Sequence, residues 1–316
     1  MSPDYPGSKS MPGQKIESMS NVDGLITPTS EASIPVLDRG FLYGDSIYEV
    51  FRTYQGVPLF IDEHFERLKR SADLIHMNLS QEISFLKEEI RRTVKTTGAS
   101  HGDDLYVRLA ITRGEGAVEL SPSRDLVTRY VIVVKRVPEW PEKFYKVGMR
   151  MGIPPTRRNP VGSLDPNIKG GNYLNNILGI TEAREMGCDD CIMLSERGTV
   201  TEASNSNVWF VIGGRLVTPR DQNLKGITKE QVHTVCGGLG LSSHEEEVSA
   251  SALTAAVEGF VTSATREVMP IKSILLESGD EVKFSDGGGE VTRRVASGYL
   301  NHIETLVSRH RSTRFI

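Results

Sequence analysis

The chain has 316 residues, of which 38% are hydrophobic and 25% charged. At ~150 residues per domain this suggests two domains with substantial cores and excludes a mini-fold held by a metal or disulfides. The 41 acidic against 37 basic residues give a net charge of −4 at pH 7, which argues against a nucleic-acid protein, because phosphate contacts call for a basic surplus.

Residues 1–22 are polar, carry Pro and Gly and lack the apolar core of a signal peptide, so a disordered tail is expected there. No run of about 18 apolar residues is present to cross a membrane. The three cysteines are few and odd in number, which points away from a disulfide framework and toward a reducing compartment, the cytoplasm. Asp62 can cap a helix in which Phe65, Leu68, Ala72 and Ile75 recur at helical spacing. Ser80 can cap another with Ile83, Leu86, Ile90 and Val94, ending near Gly98. Leu105, Val107, Leu109 and Ile111 then alternate with Tyr106, Arg108, Ala110 and Thr112, which predicts a strand with one core face and one polar face. The β-rich run at 129–136 closes this half.

Pro138, Pro141, Pro154, Pro155 and Pro160 disfavour regular structure. The expected division is a small domain over 23–138, a connection over 139–146 and a large domain over 147–316. In the large domain CIMLSE (191–196), NVWFVI (207–212) and GFVTS (259–263) read as strands. Helices are expected from Tyr173 to Met186, ended by Gly187, and from Thr228 to Cys236, ended by Gly237 and Gly238.

Lys169 lies in DPNIKGGNY, where Gly170 and Gly171 permit tight turns and a close backbone approach beside an amine. Any lysine taken alone is more simply a solvated charge. Glu202 lies in the hydroxyl- and amide-rich stretch GTVTEASNSNVWF (198–210). A carboxylate fixed by hydrogen-bond donors there stays ionised and can pair with a buried cation or a protonated ring nitrogen. A loop-capping glutamate is the alternative. Two segments are able to hold an anion. In KGITKEQV, Thr228 and Gln231 form a capping-box pattern that leaves N–H groups of the helix start open beside Gly226. In TSATRE (262–267), Ser263 and Thr265 add hydroxyls after a strand; a plain structural turn is the alternative for each. A different reading gathers Cys188, Cys191, His233 and Cys236 as zinc ligands of a binding module, although Cys191 opens an apolar strand and Cys236 follows Val232 and Val235, where cysteine is a small core residue.

In their order these segments resemble the pyridoxal-phosphate enzymes of fold type IV, the branched-chain and D-amino-acid aminotransferase family. The likeness runs from about residue 30 to 275. It is carried by PVLDRGFLYGDSIYEVFRTYQG (35–56), EHFERLKRSA (63–72), LYVRLAITRG (105–114), IKGGNYLNNI, VTEASNSNVW, LKGITKEQV and FVTSATREVMPI. The resemblance implies a two-domain α/β fold: a smaller N-terminal α/β domain and a larger C-terminal β-rich domain, with pyridoxal 5′-phosphate between them, in a homodimer. It implies that Lys169 forms the Schiff base with the cofactor and moves the substrate's α-proton, and that Glu202 meets the pyridine nitrogen. It further implies that Arg67, Ile227, Thr228 and Thr265 bind the phosphate and that Tyr173 contacts the phenolic oxygen. Tyr43, Tyr48, Tyr106, Arg108 and Ala264 fall on residues that line the substrate pocket of branched-chain enzymes. The implied reaction moves an amino group between an L-branched-chain amino acid and a 2-oxo acid such as 2-oxoglutarate. D-amino acids or (R)-amines are the alternative donors, and an aminodeoxychorismate lyase a third outcome, because LDRGFLYGDSIYEV also resembles those branches. No metal, nucleic-acid or membrane partner is implied.

Overall fold

A computed structural model of the chain describes residues 16–316. Among these, one unit takes in everything up to Pro138 together with Ile168–Asn172 and Thr305–Ile316, and the other Glu139–Asn167 with Tyr173–Glu304.

The smaller unit is built on a five-stranded antiparallel sheet of β1 (Met19–Val22), β2 (Leu25–Pro28), β3 (Ser46–Arg52), β4 (Leu105–Thr112) and β5 (Arg129–Arg136), in the order β2-β1-β5-β4-β3. Helix α1 (Arg39–Tyr43) precedes β3, and α2 (Ile61–Leu74) and α3 (Ile83–Lys95) follow it. The apolar stripes Phe65, Leu68, Ala72 and Leu86, Ile90, Val94 of α2 and α3 meet Leu105, Val107, Leu109 and Ile111 in one core, as the alternation of β4 predicts. Residues 1–15 of the expected tail lie outside the described residues. The rest of it is a correction, because Met19–Val22 is an inner strand. Its polar letters hide this: Asn21 is buried because its amide donates to Glu89 and Thr93 of α3, at 2.8 and 3.1 Å. The caps differ as well. Helix α2 starts after Phe60 with no side-chain cap, and Asp62 sits inside its first turn, where the helix dipole favours an anion. Helix α3 starts after Glu82, while the Ser80 hydroxyl accepts the N–H of Thr128 instead.

The larger unit begins with α4 (Glu142–Lys146), which lies inside the expected connection; its Phe144 and Tyr145 pack on the core of this unit. There follow β6 (Met149–Gly152), α5 (Leu174–Glu185), β7 (Asp190–Leu194), β8 (Val200–Ala203), β9 (Asn207–Ile212), β10 (Arg215–Pro219), α6 (Ile227–Gly238), β11 (Ser243–Glu246), β12 (Ala256–Ser263), β13 (Glu267–Leu275), β14 (Glu281–Lys283) and α7 (Glu290–Arg309), whose residues from Thr305 on count with the smaller unit. The sheet order is β11-β10-β9-β12-β13-β6-β7-β8, with β14 alongside β13. Helix α6 runs through Gly237 and Gly238 and stops at Leu239, before Gly240 at φ +66°. Two exposed glycines cost a helix only about 1 kcal/mol each, so the left-handed Gly240 marks the end.

Candidate active site

The residues singled out from the sequence fall into two sets, one within each unit. In the smaller unit β3 is the scaffold. Ile47 and Phe51 face the core, while Tyr48 shares the opposite face with Arg108 and Tyr106 of β4, set by the pairs Tyr48↔Ala110, Val50↔Arg108 and Arg52↔Tyr106. The Lys169 segment runs along β3. The Lys169 carbonyl accepts the N–H of Tyr48 at 2.9 Å, its own N–H donates to Ser71 Oγ of α2 at 3.1 Å, and the Gly171 N–H donates to the Ser46 carbonyl at 2.8 Å. A Cβ at Gly171 would fall 2.1 Å from Ser46 Oγ, so any larger residue there displaces that hydroxyl; Gly170 has ordinary room. With its backbone held on both sides, half-buried Lys169 places Nζ 4.6 Å from the centre of the Tyr48 ring. The Arg108 guanidinium lies 3.8 Å from the centre of the same ring. Tyr43 ends α1 with Arg39 at 4.9 Å from its ring centre, and Tyr106 has Lys135 at 5.2 Å.

Arg67 lies off the apolar stripe of α2, yet it is only 6% exposed. It shares a second stripe with His64 and Ser71, at i−3 and i+4. Its Nε and Nη2 donate to the two carboxylate oxygens of Glu49 at 2.7 Å each, and His64 Nδ1 lies 2.7 Å from Glu49 Oε2. Burial alone would raise the Glu49 carboxyl, but the Arg67 charge and the hydrogen bonds from Arg67 and His64 outweigh it and hold it at about 2. Burial lowers the His64 imidazole against the opposing pull of Glu49, so the ring is neutral at pH 7 and Nδ1–H donates to the carboxylate. One helix face thus serves both elements: Ser71 holds the backbone of Lys169, and His64 with Glu49 aligns Arg67. Sequence reasoning missed Glu49, His64 and Ser71; the polar i, i+3, i+7 spacing of His64, Arg67 and Ser71 was the available signal.

In the larger unit Glu202 lies on β8, 6% exposed. Its Oε1 accepts from Arg158 Nε at 3.0 Å, with Arg158 Nη2 in ion-pair contact at 2.9 Å, and its Oε2 accepts from the Leu224 N–H at 3.1 Å. Arg158 also donates to Asn175 and Asn176 at 3.3 Å each, and Asn176 donates to the Ser204 carbonyl at 2.8 Å. This binds Glu202 to the start of α5, where Tyr173 is the N-cap residue. The start of α6 is tied to the same place. Its N-cap is Gly226, where a Cβ would lie 2.0 Å from Asn207 Oδ1, and Asn207 donates to the Leu224 carbonyl at 2.9 Å. The expected Thr228–Gln231 capping box does not form: Gln231 Oε1 is engaged by His302 Nε2 at 3.0 Å. Ile227 and buried Thr228 therefore open a helix whose first turn no side chain caps. Half-buried Ala264 and Thr265 form the tip of the β12–β13 hairpin, and Thr262 pairs with Asn207, which sets the tip beside the loop after Glu202.

The zinc reading is overturned. Cys188 and Cys191 pack with Ala183 and Met193, Cys236 is buried on α6, and burial raises all three thiols. His233 Nδ1 bonds Ser243 Oγ at 2.7 Å. Among the described residues no group of three or more His, Cys, Asp or Glu is placed to hold a metal ion.

Pyridoxal 5′-phosphate asks for an amine to attach to, an anion for its ring nitrogen and donors for its phosphate. Lys169 has an aromatic ring against its ammonium and, among the described residues, no carboxylate paired with it. Glu202 is a buried carboxylate, and α6 opens with uncapped N–H groups at the pole of the helix dipole that attracts anions. The chemistry of these donors fits the group.

The comparisons with known proteins agree. The family model of amino-transferase class IV matches residues 46–274. The chain belongs to the class IV aminotransferases, enzymes of fold type IV that depend on pyridoxal phosphate. A protein of Methanocaldococcus jannaschii named "Putative branched-chain-amino-acid aminotransferase" is 32% identical over 278 residues, covering 87% of this chain and 92% of its own. A D-alanine aminotransferase of Bacillus licheniformis is 31% identical over 287 residues, covering 89% and 95%. The crystal structure of the branched-chain aminotransferase of Thermoproteus uzoniensis with norvaline matches with a TM-score of 0.82 at 28% identity, over 92% of this chain and 96% of that one.

Proposed function

We propose that this aminotransferase takes L-branched-chain amino acids as donors and a 2-oxo acid such as 2-oxoglutarate as acceptor. The observation that carries the substrate reading is the Tyr48 ring with the Arg108 guanidinium 3.8 Å from its centre, beside Lys169. A ring offers an aliphatic side chain an apolar wall, while the arginine it covers can still meet the second carboxylate of glutamate. The names of the relatives from M. jannaschii and T. uzoniensis support the same donor class; the B. licheniformis relative keeps D-alanine as the competitor to be tested.

In this reading Arg67, Ile227, Thr228 and Thr265 hold the cofactor's phosphate, Tyr173 its phenolic oxygen and Glu202 its ring nitrogen. Tyr43, Tyr48, Tyr106, Arg108 and Ala264 line the substrate pocket. The cofactor, when bound, supplies an aldehyde that takes up the amino group and a ring that accepts the electron pair left at the α-carbon. Lys169 Nζ anchors the cofactor and then, as general base, moves the α-proton. Glu202 keeps a proton on the ring nitrogen; Arg158 fixes the carboxylate, each of whose oxygens can accept a further hydrogen bond.

A homodimer is part of the proposal. Ile34, Val36, Leu37, Phe41, Val118 and Leu120 are exposed in the smaller unit. Backbone bonds from Arg39 to Gly114 and from Gly116 to Leu37, with Arg39 side-chain bonds to the carbonyls of Glu119 and Leu120, bring these two stretches together. Clustered apolar surface of this kind is what an obligate interface covers. The three unpaired cysteines suit a reducing compartment such as the cytoplasm.

Arg108→Ala is expected to slow the glutamate and 2-oxoglutarate half-reaction about tenfold or more, the scale of a lost charged hydrogen bond, and to leave leucine far less affected. Half-reaction kinetics followed by cofactor absorbance measure both. Equal losses defeat the dual-substrate reading, and a wild type that turns over D-alanine or an (R)-amine far faster than L-leucine transfers the donor assignment to that class. For the phosphate, Arg67→Lys keeps a charge for Glu49 but loses the two-pronged donor. Cofactor affinity is expected to fall about tenfold in a titration of the apo-protein; unchanged affinity would mean that Arg67 serves Glu49 alone.

A further inference from the structure

We propose that Arg266 is a positioning residue for the cofactor's phosphate, locking the hairpin tip that carries Ala264 and Thr265 to the loop that follows Glu202. The inference rests on the reading of Thr228 and Thr265 as phosphate contacts.

Arg266 is 3% exposed and Asp190 is fully buried. Arg266 Nη1 lies 2.7 Å from Asp190 Oδ2 and donates a directed hydrogen bond to Ser206 Oγ at 2.9 Å. The contact with Asp190 is an ion pair without an aligned hydrogen bond. Asp190 is held on its own strand as well, where its Oδ1 accepts the N–H of Cys191 at 2.7 Å. The guanidinium is covered by Trp140, 4.6 Å from the ring centre, and the Arg266 N–H donates to Ser263 Oγ at 3.3 Å. One side chain therefore joins β7, the hairpin tip and the 204–206 loop. A buried ion pair is a weak source of net stability, because an apolar pair of the same volume serves as well. What it does enforce is a single geometry.

The hairpin tip needs such enforcement. Glu267, which closes the tip opposite Ser263, has φ +56°, a left-handed backbone that L side chains seldom adopt. Strained backbone persists where its surroundings over-determine it, and the residue before Glu267 is the one whose Nη1 meets both Asp190 and Ser206. Freed from Arg266, the tip would relax and carry Thr265 with it.

The test titrates apo-protein with pyridoxal phosphate and, separately, with pyridoxal, which lacks the phosphate. Arg266→Lys keeps a charge near Asp190 on a side chain one bond too short to put a nitrogen where Nη1 meets both Asp190 and Ser206; Ser206→Ala removes the second tie by deleting one hydroxyl. Both variants are expected to lose about tenfold in affinity for pyridoxal phosphate, with pyridoxal affinity and the apo-protein's Tm nearly unchanged. Parallel losses for both ligands would show a merely structural pair and overturn the proposal. Thr228→Ala and Thr265→Ala report on the underlying reading. If they abolish the preference for the phosphate form while Arg266→Lys and Ser206→Ala leave it intact, the positioning role is wrong and the phosphate reading stands. If the threonine variants leave the preference intact, the phosphate reading falls and this inference with it. Should Arg266→Lys fail to fold, Ser206→Ala decides alone.

Discussion

Lys169→Ala is expected to abolish transamination by several orders of magnitude while leaving the fold intact. The fold should survive because the bonds that hold this segment are made by its backbone: to Ser71 through the Lys169 N–H, to Tyr48 through the carbonyl, and to Ser46 through Gly171. Alanine keeps all three. The ammonium rests against the Tyr48 ring, so little stability leaves with it. Activity should not survive, because one amine serves as both tether and general base, and losing a group with two roles costs more than losing a binding contact. Thermal unfolding and single-turnover kinetics on the same preparation separate the two effects. Borohydride reduction of the holo-protein followed by peptide mapping tests the assignment itself: the pyridoxyl group should appear on Lys169, and a label on another lysine would refute it.

Glu49→Gln is expected to destabilise the protein by about 3–5 kcal/mol at pH 7, the range for removing one partner of a buried ion pair. The carboxylate is 2% exposed, and the amide that replaces it leaves the Arg67 charge uncompensated. The pH dependence gives a second signature. The Glu49 carboxyl drops from 4.5 to about 2 on folding, despite burial acting the other way, because Arg67 and His64 favour the charged form. Its contribution is therefore fully present above pH 4.5 and lost as pH falls toward 2, amounting to about 3 kcal/mol. His64 adds to the same trend. Its imidazole is lowered in the fold by burial, so the unfolded chain takes up a proton below pH 6.5 that the folded chain refuses, and stability begins to decline there. Urea unfolding of wild type and Glu49→Gln from pH 7 to pH 3 measures both effects. The variant should lose less stability than wild type below pH 4.5, and equal midpoints at pH 7 would contradict the ion-pair account.

Much of the framework is written locally. The alternation from Leu105 to Thr112 predicts a strand with one buried face, because side chains of a strand point to opposite sides. The stripes of α2 and α3 are legible for the analogous reason at helical spacing. Helix α7 carries a stripe of the same kind, Val295, Tyr299, Ile303 and Val307 at four-residue spacing, which the sequence reading passed over. Of the two glycines after Lys169, Gly171 is the one whose small size the fold uses, since a Cβ there would strike Ser46 Oγ. Local patterns mislead where a partner lies outside the window. Asp62 and Ser80 look like caps until the Ser80 hydroxyl is seen to be engaged by Thr128, and Met19–Val22 looks like a tail until two neighbouring strands pair with it.

The order of residue types along the chain determined which side chains this protein has for amino-group chemistry: one lysine beside Gly171, one carboxylate in a hydroxyl-rich loop, one helix start after a glycine and one arginine off an apolar stripe. Tertiary structure alone decided which groups hold them in place. Glu49 reads as an ordinary strand glutamate, Arg158 as a loop charge and Arg266 as a turn residue until folding brings them to Arg67, Glu202 and Ser206, partners 18, 44 and 60 residues away. Periodicity is a property of neighbours along the chain. A buried charge is tolerable only beside its counterpart, and that counterpart can come from anywhere in the sequence.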